Sequence, residues 1–170
     1  MEIREYEESK ELSEAILRKL LVSSSVTGMR FFTPQVLFDG PTDIGGESYI
    51  NLSSNWIVVP AGEIRTPKDL AERDQKEEEL EILGLRGLVV VDVSIESPEP
   101  HLRIKFEDGR ELLMDGHDEN YESWQAGLNH PSADECWLVV ACPGNRLAAQ
   151  CPDNFSEQDT ALNGGASPHR

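Results

Sequence analysis

A hairpin pattern in the second half of the chain limits the possible folds more than any other part of the sequence. Leu102, Ile104 and Phe106 alternate with polar residues, an Asp108-Gly109 pair follows, and a further apolar stretch covers residues 111–115. Alternation with a period of two buries one face of a β-strand and leaves the other face to solvent. An Asp-Gly pair between two such runs is a strong signal for a tight hairpin turn. The pattern therefore predicts an antiparallel strand pair here.

Other short β-prone runs lie on both sides of this hairpin. They are bounded by glycine, proline or aspartate, and Pro34 separates two of them. Runs of this kind are typical of an antiparallel sheet. The predicted strands cover residues 26–32, 35–38, 49–52, 56–59, 88–95, 102–106, 111–115, 121–125, 137–142 and 146–150.

Two helices are also predicted. In the segment Glu7–Leu21, leucine and isoleucine recur at helical spacing, with acidic residues near the start and basic residues near the end. A second helix is expected over 66–83, with Thr66 as N-cap and Pro67 at the first helical position. Gly84 would end it. Its middle is nearly all charged, so we expect this acidic helix either to be frayed or to link two parts of the fold.

The parts on either side of the acidic helix resemble each other. Each contains strands joined at a turn of the form Phe-(x)-Asp-Gly, beginning at Phe38 and at Phe106, and each then reaches a tryptophan, Trp56 or Trp124. An isolated meander of three strands is only marginally stable, so two such units would share one core. Asp-Gly turns are common, and chance similarity is the alternative explanation.

These patterns predict an α+β fold, built mainly of antiparallel sheet from two related β-meander halves. The halves would cover about 23–60 and 85–151, with the N-terminal helix over one face of the sheet. We expect a single domain over 1–152. The segment 153–170 is polar and contains Gly164-Gly165, so a disordered tail is expected there.

The second half of the chain also resembles a family of small, uncharacterised bacterial proteins, some of which look like immunity proteins from toxin loci. The resemblance covers about 83–147 and depends on three motifs, which are Phe106-Glu107-Asp108-Gly109, the Tyr-Glu-x-Trp element within 120–125, and the run 137–144 that ends in Pro-Gly. A tryptophan expected soon after the Pro-Gly turn is replaced by Ala148-Ala149-Gln150. The family implies a fold rather than any catalytic residue.

The charge of the chain limits its partners. With 32 acidic and 15 basic side chains, the formal net charge is −17 over 170 residues. Such a field repels nucleic acids and anionic membrane surfaces, and it speeds the encounter with basic proteins. Solubility alone is the alternative reading of this charge. The sequence lacks an apolar run long enough for a membrane span, and its first residues lack a signal peptide, so a cytoplasmic location is expected.

No pattern for a metal, a cofactor or a nucleophile is found. Cys136, Cys142 and Cys151 contain no Cys-x-x-Cys pair, so reduced thiols buried in strands are expected, and a zinc site with His130 would be weak. In the polar run 115–120 the glycine comes second rather than sixth, which does not fit a calcium loop. Gly-x-Ser-x-Gly, Walker and Gly-x-Gly-x-x-Gly motifs are missing. We therefore expect no metal and no cofactor.

The candidate contacts are acidic. We expect a non-enzymatic binding protein, such as an immunity-like inhibitor that docks on a basic, toxin-like protein through exposed carboxylates. The candidate partner-binding residues are Glu77, Glu78, Glu79, Asp115, Asp118 and Glu119.

Two other functions remain open from the sequence. One is a small enzyme or ligand-binding domain with a pocket near Tyr121, Glu122 and Trp124, in which the aromatic surroundings would raise the pKa of the Glu122 carboxyl. In that reading residues 121–124 form a strand, with Tyr121 on one face and Glu122 and Trp124 on the other. The other function is a structural or accessory subunit.

Overall fold

The computed structural model describes residues 3–69, 73–129 and 135–155. Its fold is α+β, with two antiparallel sheets and two α-helices in the described part of the chain. The helices are α1 (Ile3–Leu21) and α2 (Gln75–Leu83). The strands are β1 (Val26–Arg30), β2 (Gln35–Phe38), β3 (Glu47–Asn51), β4 (Trp56–Val59), β5 (Val90–Ile95), β6 (Leu102–Phe106), β7 (Glu111–Met114), β8 (Gln125–Asn129), β9 (Leu138–Cys142) and β10 (Arg146–Gln150).

The strands form two sheets, and the chain passes from one sheet to the other after β3 and again after β7. The larger sheet has the order β1-β2-β3-β8-β9-β10, and the smaller has the order β4-β7-β6-β5. The meander β1–β3 belongs to the larger sheet and the meander β5–β7 to the smaller. After its meander the chain crosses over each time, so that β4 pairs with β7 and β8 pairs with β3. Each sheet therefore contains a strand that follows the other sheet's meander.

The two meanders begin with the same pairing. Val26 faces Phe38 across β1 and β2, and Val90 faces Phe106 across β5 and β6. In both strand pairs the register shifts immediately after that valine, between Val26 and Gly28 in one and between Val90 and Asp92 in the other. The residues just before the two strands form an isolated antiparallel bridge that joins the sheets.

Helix α1 packs against both sheets, where the prediction had one sheet with a helix over one face. It contacts β8, β9 and β10 of the larger sheet and β5 of the smaller one. Ile16, Leu17 and Leu20 are fully buried, which fits the spacing seen in the sequence, and each such side chain contributes about 1.5–3 kcal/mol to folding. The Arg18 Nε donates to the Val93 carbonyl at 3.2 Å, and the Glu14 carboxylate accepts from the Ile95 N–H at 2.7 Å. These bonds fix the helix along the edge of the smaller sheet.

The predicted hairpin is present. Leu102, Ile104 and Phe106 are buried, and the chain returns through a turn in which Gly109 has φ = 88°. That conformation is easy for glycine and costly for a residue with a Cβ. The alternation and the Asp-Gly signal therefore predicted this strand pair correctly.

The second helix is shorter than the predicted span 66–83. Pro67–Asp69 forms a 3-10 turn, and the Asp69 carboxylate accepts from the N–H of Thr66 at 2.6 Å, so Thr66 is not the N-cap of α2. Asp74 is that N-cap, because its side chain accepts from the Glu77 N–H at 2.9 Å while the Glu77 carboxylate accepts from the Asp74 N–H at 3.0 Å. This capping box satisfies two otherwise unpaired donors. Gly84 ends the helix as predicted.

The strand expected over 121–125 is displaced towards the C-terminus, since β8 begins only at Gln125. The Asp118 carboxylate accepts from the N–H groups of Asn120 and Tyr121, at 2.7 and 2.8 Å, and holds this part of the chain in a turn. Consequently Tyr121 and Glu122 are both exposed, and the expected alternation of faces is absent.

The described chain ends with a packed aromatic side chain. Phe155 lies edge-on against Trp137, with ring centroids 5.0 Å apart and an interplanar angle of 73°. This contact lies within the segment for which disorder was predicted. The rest of that segment, 156–170, lies outside the described residues.

Candidate functional site

An open cavity of about 660 Å³ lies where α2, the tip of the β1–β2 hairpin and the two crossover connections meet. We call it the acidic groove. Its charged lining consists of Glu78, Glu79, Asp115, His117 and Asp118. Among the residues that the structure describes, no lysine or arginine lines it. The groove therefore has a negative field that attracts cationic groups.

Helix α2 supplies the first carboxylates. Gln75, Glu78 and Glu79 are spaced at i, i+3 and i+4, so their side chains share one face of the helix. The capping box holds this first turn in place. Glu77, one position earlier, uses its carboxylate in the capping box and does not line the groove.

The loop after β7, residues 115–119, supplies the other carboxylates, and we call it the acidic loop. The Asp115 N–H donates to the Asn55 carbonyl at 2.8 Å, and the Ser54 hydroxyl donates to the Asp115 carbonyl at 2.6 Å. These bonds attach the loop to the segment that leads into β4. Hydrogen bonds from the N–H groups of Asn120 and Tyr121 lower the pKa of the Asp118 carboxyl, which stabilises its ionised form.

Gly116 fixes this loop against the rest of the protein. A Cβ atom at this position would lie 1.9 Å from the Pro100 carbonyl oxygen, which is far closer than any real contact. The Gly116 N–H also donates to the Nδ1 of His101 at 2.9 Å, and the Nε2 of that ring lies 2.9 Å from the Glu99 carboxylate. The close approach and these bonds make the acidic loop part of a packed structure.

His117 is the one residue in the lining whose charge changes near neutral pH. Its Nδ1 lies 2.7 Å from the side-chain oxygen of Asn145 in the β9–β10 turn. This hydrogen bond raises the pKa of His117, and the negative charges of Glu99, Asp115 and Glu119 raise it further. The net charge of the groove therefore becomes less negative as the pH falls.

The apolar lining consists of Met29, Phe31, Leu52 and Trp56 together with Pro34. Trp56 is almost fully buried, and the Arg73 guanidinium lies 4.5 Å from its ring centroid. Arg73 also donates to the Trp56 carbonyl and to Glu81, and it lies 3.9 Å from the Glu78 carboxylate. It thereby holds the start of α2 against β4.

The structure brings together part of the predicted partner-binding set. Glu78, Glu79, Asp115 and Asp118 line the acidic groove, although they come from segments far apart in sequence. Glu77 and Glu119 are exposed and lie outside the lining.

Tyr121, Glu122 and Trp124, the residues of the alternative pocket, lie in different environments. Trp124 is fully buried, and its indole N–H donates to the Pro100 carbonyl at 2.8 Å. Tyr121 and Glu122 point to solvent. Trp124 is therefore a core residue whose polar atom is already paired.

Sequence reasoning did not find the apolar lining or His117. The sequence predicts strands at Met29, Phe31 and Trp56 but assigns them no place in a site, because nothing local shows which loop they will face. The one local signal was the Phe31-Phe32 pair, two large apolar residues beside the turn marked by Pro34.

The cysteines and the metal-binding residue types give no further site. Cys136, Cys142 and Cys151 are free thiols, and burial raises the thiol pKa of the last two. Cys142 lies at the end of β9 and is half-buried. Cys136 is exposed and precedes β9, and Cys151 is half-buried and follows β10, so the expectation of buried strand thiols was wrong for these two. In the described ranges, histidine, cysteine, aspartate and glutamate form no group of three or more that could hold a metal ion. Neither described helix is long and apolar enough to cross a bilayer.

No family model, curated protein or solved structure matches the chain.

Proposed function

We propose that this chain is a non-enzymatic binding protein that holds a basic segment of a partner protein in the acidic groove. The observation that carries the proposal is the convergence of Glu78 and Glu79 with Asp115 and Asp118 along one open cavity of about 660 Å³. Scattered surface carboxylates would serve solubility equally well. Carboxylates that line a concave surface focus the field on a bound cation.

The charges in the groove are not equally available. Arg73 pairs with Glu81 and approaches Glu78, so part of the Glu78 charge is already compensated. The N–H groups of Asn120 and Tyr121 lower the pKa of the Asp118 carboxyl and stabilise its ionised form. Glu79, Asp115 and Asp118 are therefore the carboxylates that contribute most to attracting a lysine or arginine side chain.

We also propose that the partner is a toxin-like basic protein and that the chain acts on it in the cytoplasm as an immunity-like inhibitor. The support is the resemblance of residues 83–147 to immunity-like bacterial proteins, together with the net charge of −17. Electrostatic attraction of this kind raises association rates more than it raises affinity. Fast capture of a basic partner is what such an inhibitor requires.

We further infer that the two halves are related by duplication and that each gives its fourth strand to the other's sheet. The support is the common register. Val26 faces Phe38 as Val90 faces Phe106, and both pairs are followed by the same shift. Superposition of 26–59 on 90–127 tests this inference, and we expect equivalent strands to coincide and Trp56 to fall on Trp124.

The experiment that tests the proposed function compares two charge-matched double variants. The groove variant is Glu78→Gln with Glu79→Gln, and Glu77 is left unchanged to preserve the capping box. The control is Glu11→Gln with Glu122→Gln, at two exposed positions outside the lining. Both variants remove two negative charges, so any difference between them reports on position rather than on net charge.

The probe is a fluorescein-labelled hexa-arginine peptide, and its association rate is measured by stopped flow from low to moderate salt. The groove variant should bind the peptide about two- to thirtyfold more weakly than the control, because it removes two exposed ion pairs that each contribute about 0.2–1 kcal/mol. Its association rate should also depend less steeply on salt. Equal losses in both variants would show that only the overall charge acts, and the proposal would be abandoned.

A further inference from the structure

The tip of the β1–β2 hairpin presents two adjacent phenylalanines to solvent. Phe31 is 54% exposed and Phe32 is 96% exposed. The next residue, Thr33, has φ = 56°, a left-handed conformation that is unusual for a β-branched side chain. The turn thus keeps two large apolar side chains out of the core at the expense of an unfavourable backbone conformation.

This tip is tied to the neighbouring strand and forms one wall of the acidic groove. The Gln35 side-chain amide donates to the side-chain oxygen of Asn51 at 2.6 Å, and the Leu52 N–H donates to the Pro34 carbonyl at 2.9 Å. Phe31 and Pro34 line the groove. The wall is therefore supported by β3, and Phe32 is the chain neighbour of the lining residue Phe31.

We propose that Phe31 and Phe32 are the apolar anchor of the interface, and that the partner segment places an apolar side chain beside the cationic residues that enter the groove. This inference rests on the proposed function. Aromatic side chains, phenylalanine included, are enriched at the centre of protein interfaces, and a guanidinium binds favourably over an aromatic ring. The occupant that fits is a basic segment that alternates cationic and apolar residues.

A second copy of this chain is a poor occupant of the same surface. Each copy has a formal net charge of −17, so two copies repel each other. The groove would present Glu79, Asp115 and Asp118 to another acidic surface. Charge complementarity therefore favours a basic partner.

Two labelled peptides of equal charge test the inference. One alternates arginine with leucine, and the other alternates arginine with serine. Their affinities for the full chain are measured by fluorescence anisotropy at moderate salt. The leucine peptide should bind about tenfold more tightly, as expected when an apolar side chain is buried against an aromatic anchor.

Phe32→Ala is the test variant and Ile64→Ala is its matched control, because Ile64 is 92% exposed and lies outside the groove lining. Phe32→Ala should remove most of the advantage of the leucine peptide and leave the serine peptide nearly unchanged. Ile64→Ala should retain the advantage. Far-UV circular dichroism of both variants establishes that they are folded, which an exposed position leads us to expect.

The experiments distinguish an error in the proposed anchor from an error in the proposed binding site, the acidic groove. If the leucine peptide has no advantage, or if Ile64→Ala reduces it as much as Phe32→Ala does, the anchor is wrong even when Glu78→Gln with Glu79→Gln weakens both peptides. If instead that groove variant changes neither peptide's affinity while the leucine preference persists, the acidic groove is not the binding site. Self-association that Phe32→Ala abolishes, without any preference between the peptides, would also overturn the anchor for a basic partner.

Discussion

Gly116→Ala should destabilise the protein strongly, although it adds only one methyl group. The added Cβ would lie 1.9 Å from the Pro100 oxygen, 2.1 Å from the Pro100 carbonyl carbon and 2.7 Å from the His101 nitrogen. All three are backbone atoms, so no side-chain rotation can relieve the overlap. Overpacking costs about 1–3 kcal/mol, and we expect a value near 3 kcal/mol here. For a chain of this size the melting temperature should fall by about 6–12 °C.

The matched control is Gly28→Ala. No atom lies within 4 Å of a Cβ added at Gly28, and its φ is not positive, so its free energy of unfolding should change by less than about 0.5 kcal/mol. Urea denaturation followed by far-UV circular dichroism gives both values. If the two variants have the same free energy of unfolding, the packing of the acidic loop against Pro100 is not as described, and the geometry of the groove must be reconsidered.

Three further outcomes can be measured directly. Truncation after Asn154 should lower the free energy of unfolding by about 0.5–1.5 kcal/mol relative to truncation after Phe155, because it removes the edge-on contact between Phe155 and Trp137. Equal stabilities of the two truncated chains would contradict that contact. With a thiol reagent at pH 8, Cys136 should react fastest, because burial raises the thiol pKa of the other two cysteines, and Cys136→Ser should remove the fast phase. The pKa of His117 is raised in the folded state above the usual 6.5, so its protonation stabilises the fold below that pH, and this contribution is lost as the pH rises through the folded-state pKa. Over this pH range the urea midpoint of the wild type should fall, and that of His117→Gln should not show this fall. If both proteins have the same pH dependence, the His117–Asn145 hydrogen bond does not contribute to stability.

The elements that the sequence predicted correctly depend on local signals. The Asp108-Gly109 turn and the alternation before it are sufficient to specify one hairpin. The apolar stripe of α1 specifies a helix with one buried face. Neither signal requires knowledge of distant residues.

The division of the strands into two sheets could not be predicted in this way. A period of two shows which face of a strand is buried, but it does not show which strand lies beside it. The pairing of β4 with β7 and of β8 with β3 joins residues that are more than fifty positions apart. The period-two pattern of these strands is therefore equally compatible with one continuous sheet.

The start of α2 was misplaced because two N-cap signals lie close together. Thr66-Pro67 is a good start by itself, but Asp74 with Glu77 forms a reciprocal capping box, which pairs two donors rather than one. Thr66 pairs instead with Asp69 in a short turn. Because Glu77 belongs to this capping box, its carboxylate caps the helix, whereas the sequence predicted it as a partner-binding residue.

The location of the acidic groove follows from the strand exchange. Antiparallel pairing places the start of β4 beside the end of β7, with Trp56 opposite Met114. It also places the start of β8 beside the end of β3, with Gln125 opposite Asn51. Both crossover connections must therefore meet at the same end of the fold, whatever their sequences.

The β3–β4 and β7–β8 connections can bear binding residues without disturbing the sheets. Ser54 and Asp115 bind each other across the two crossovers, and Arg73 adds α2 to the same place through Trp56. The sheets determine where these segments lie, whereas the exposed side chains on them are under little packing constraint. Acidic residues at this meeting point are therefore better candidates for binding a basic partner than acidic residues on α1. Replacing Glu79 by glutamine should weaken binding of the hexa-arginine peptide more than replacing Glu11 by glutamine.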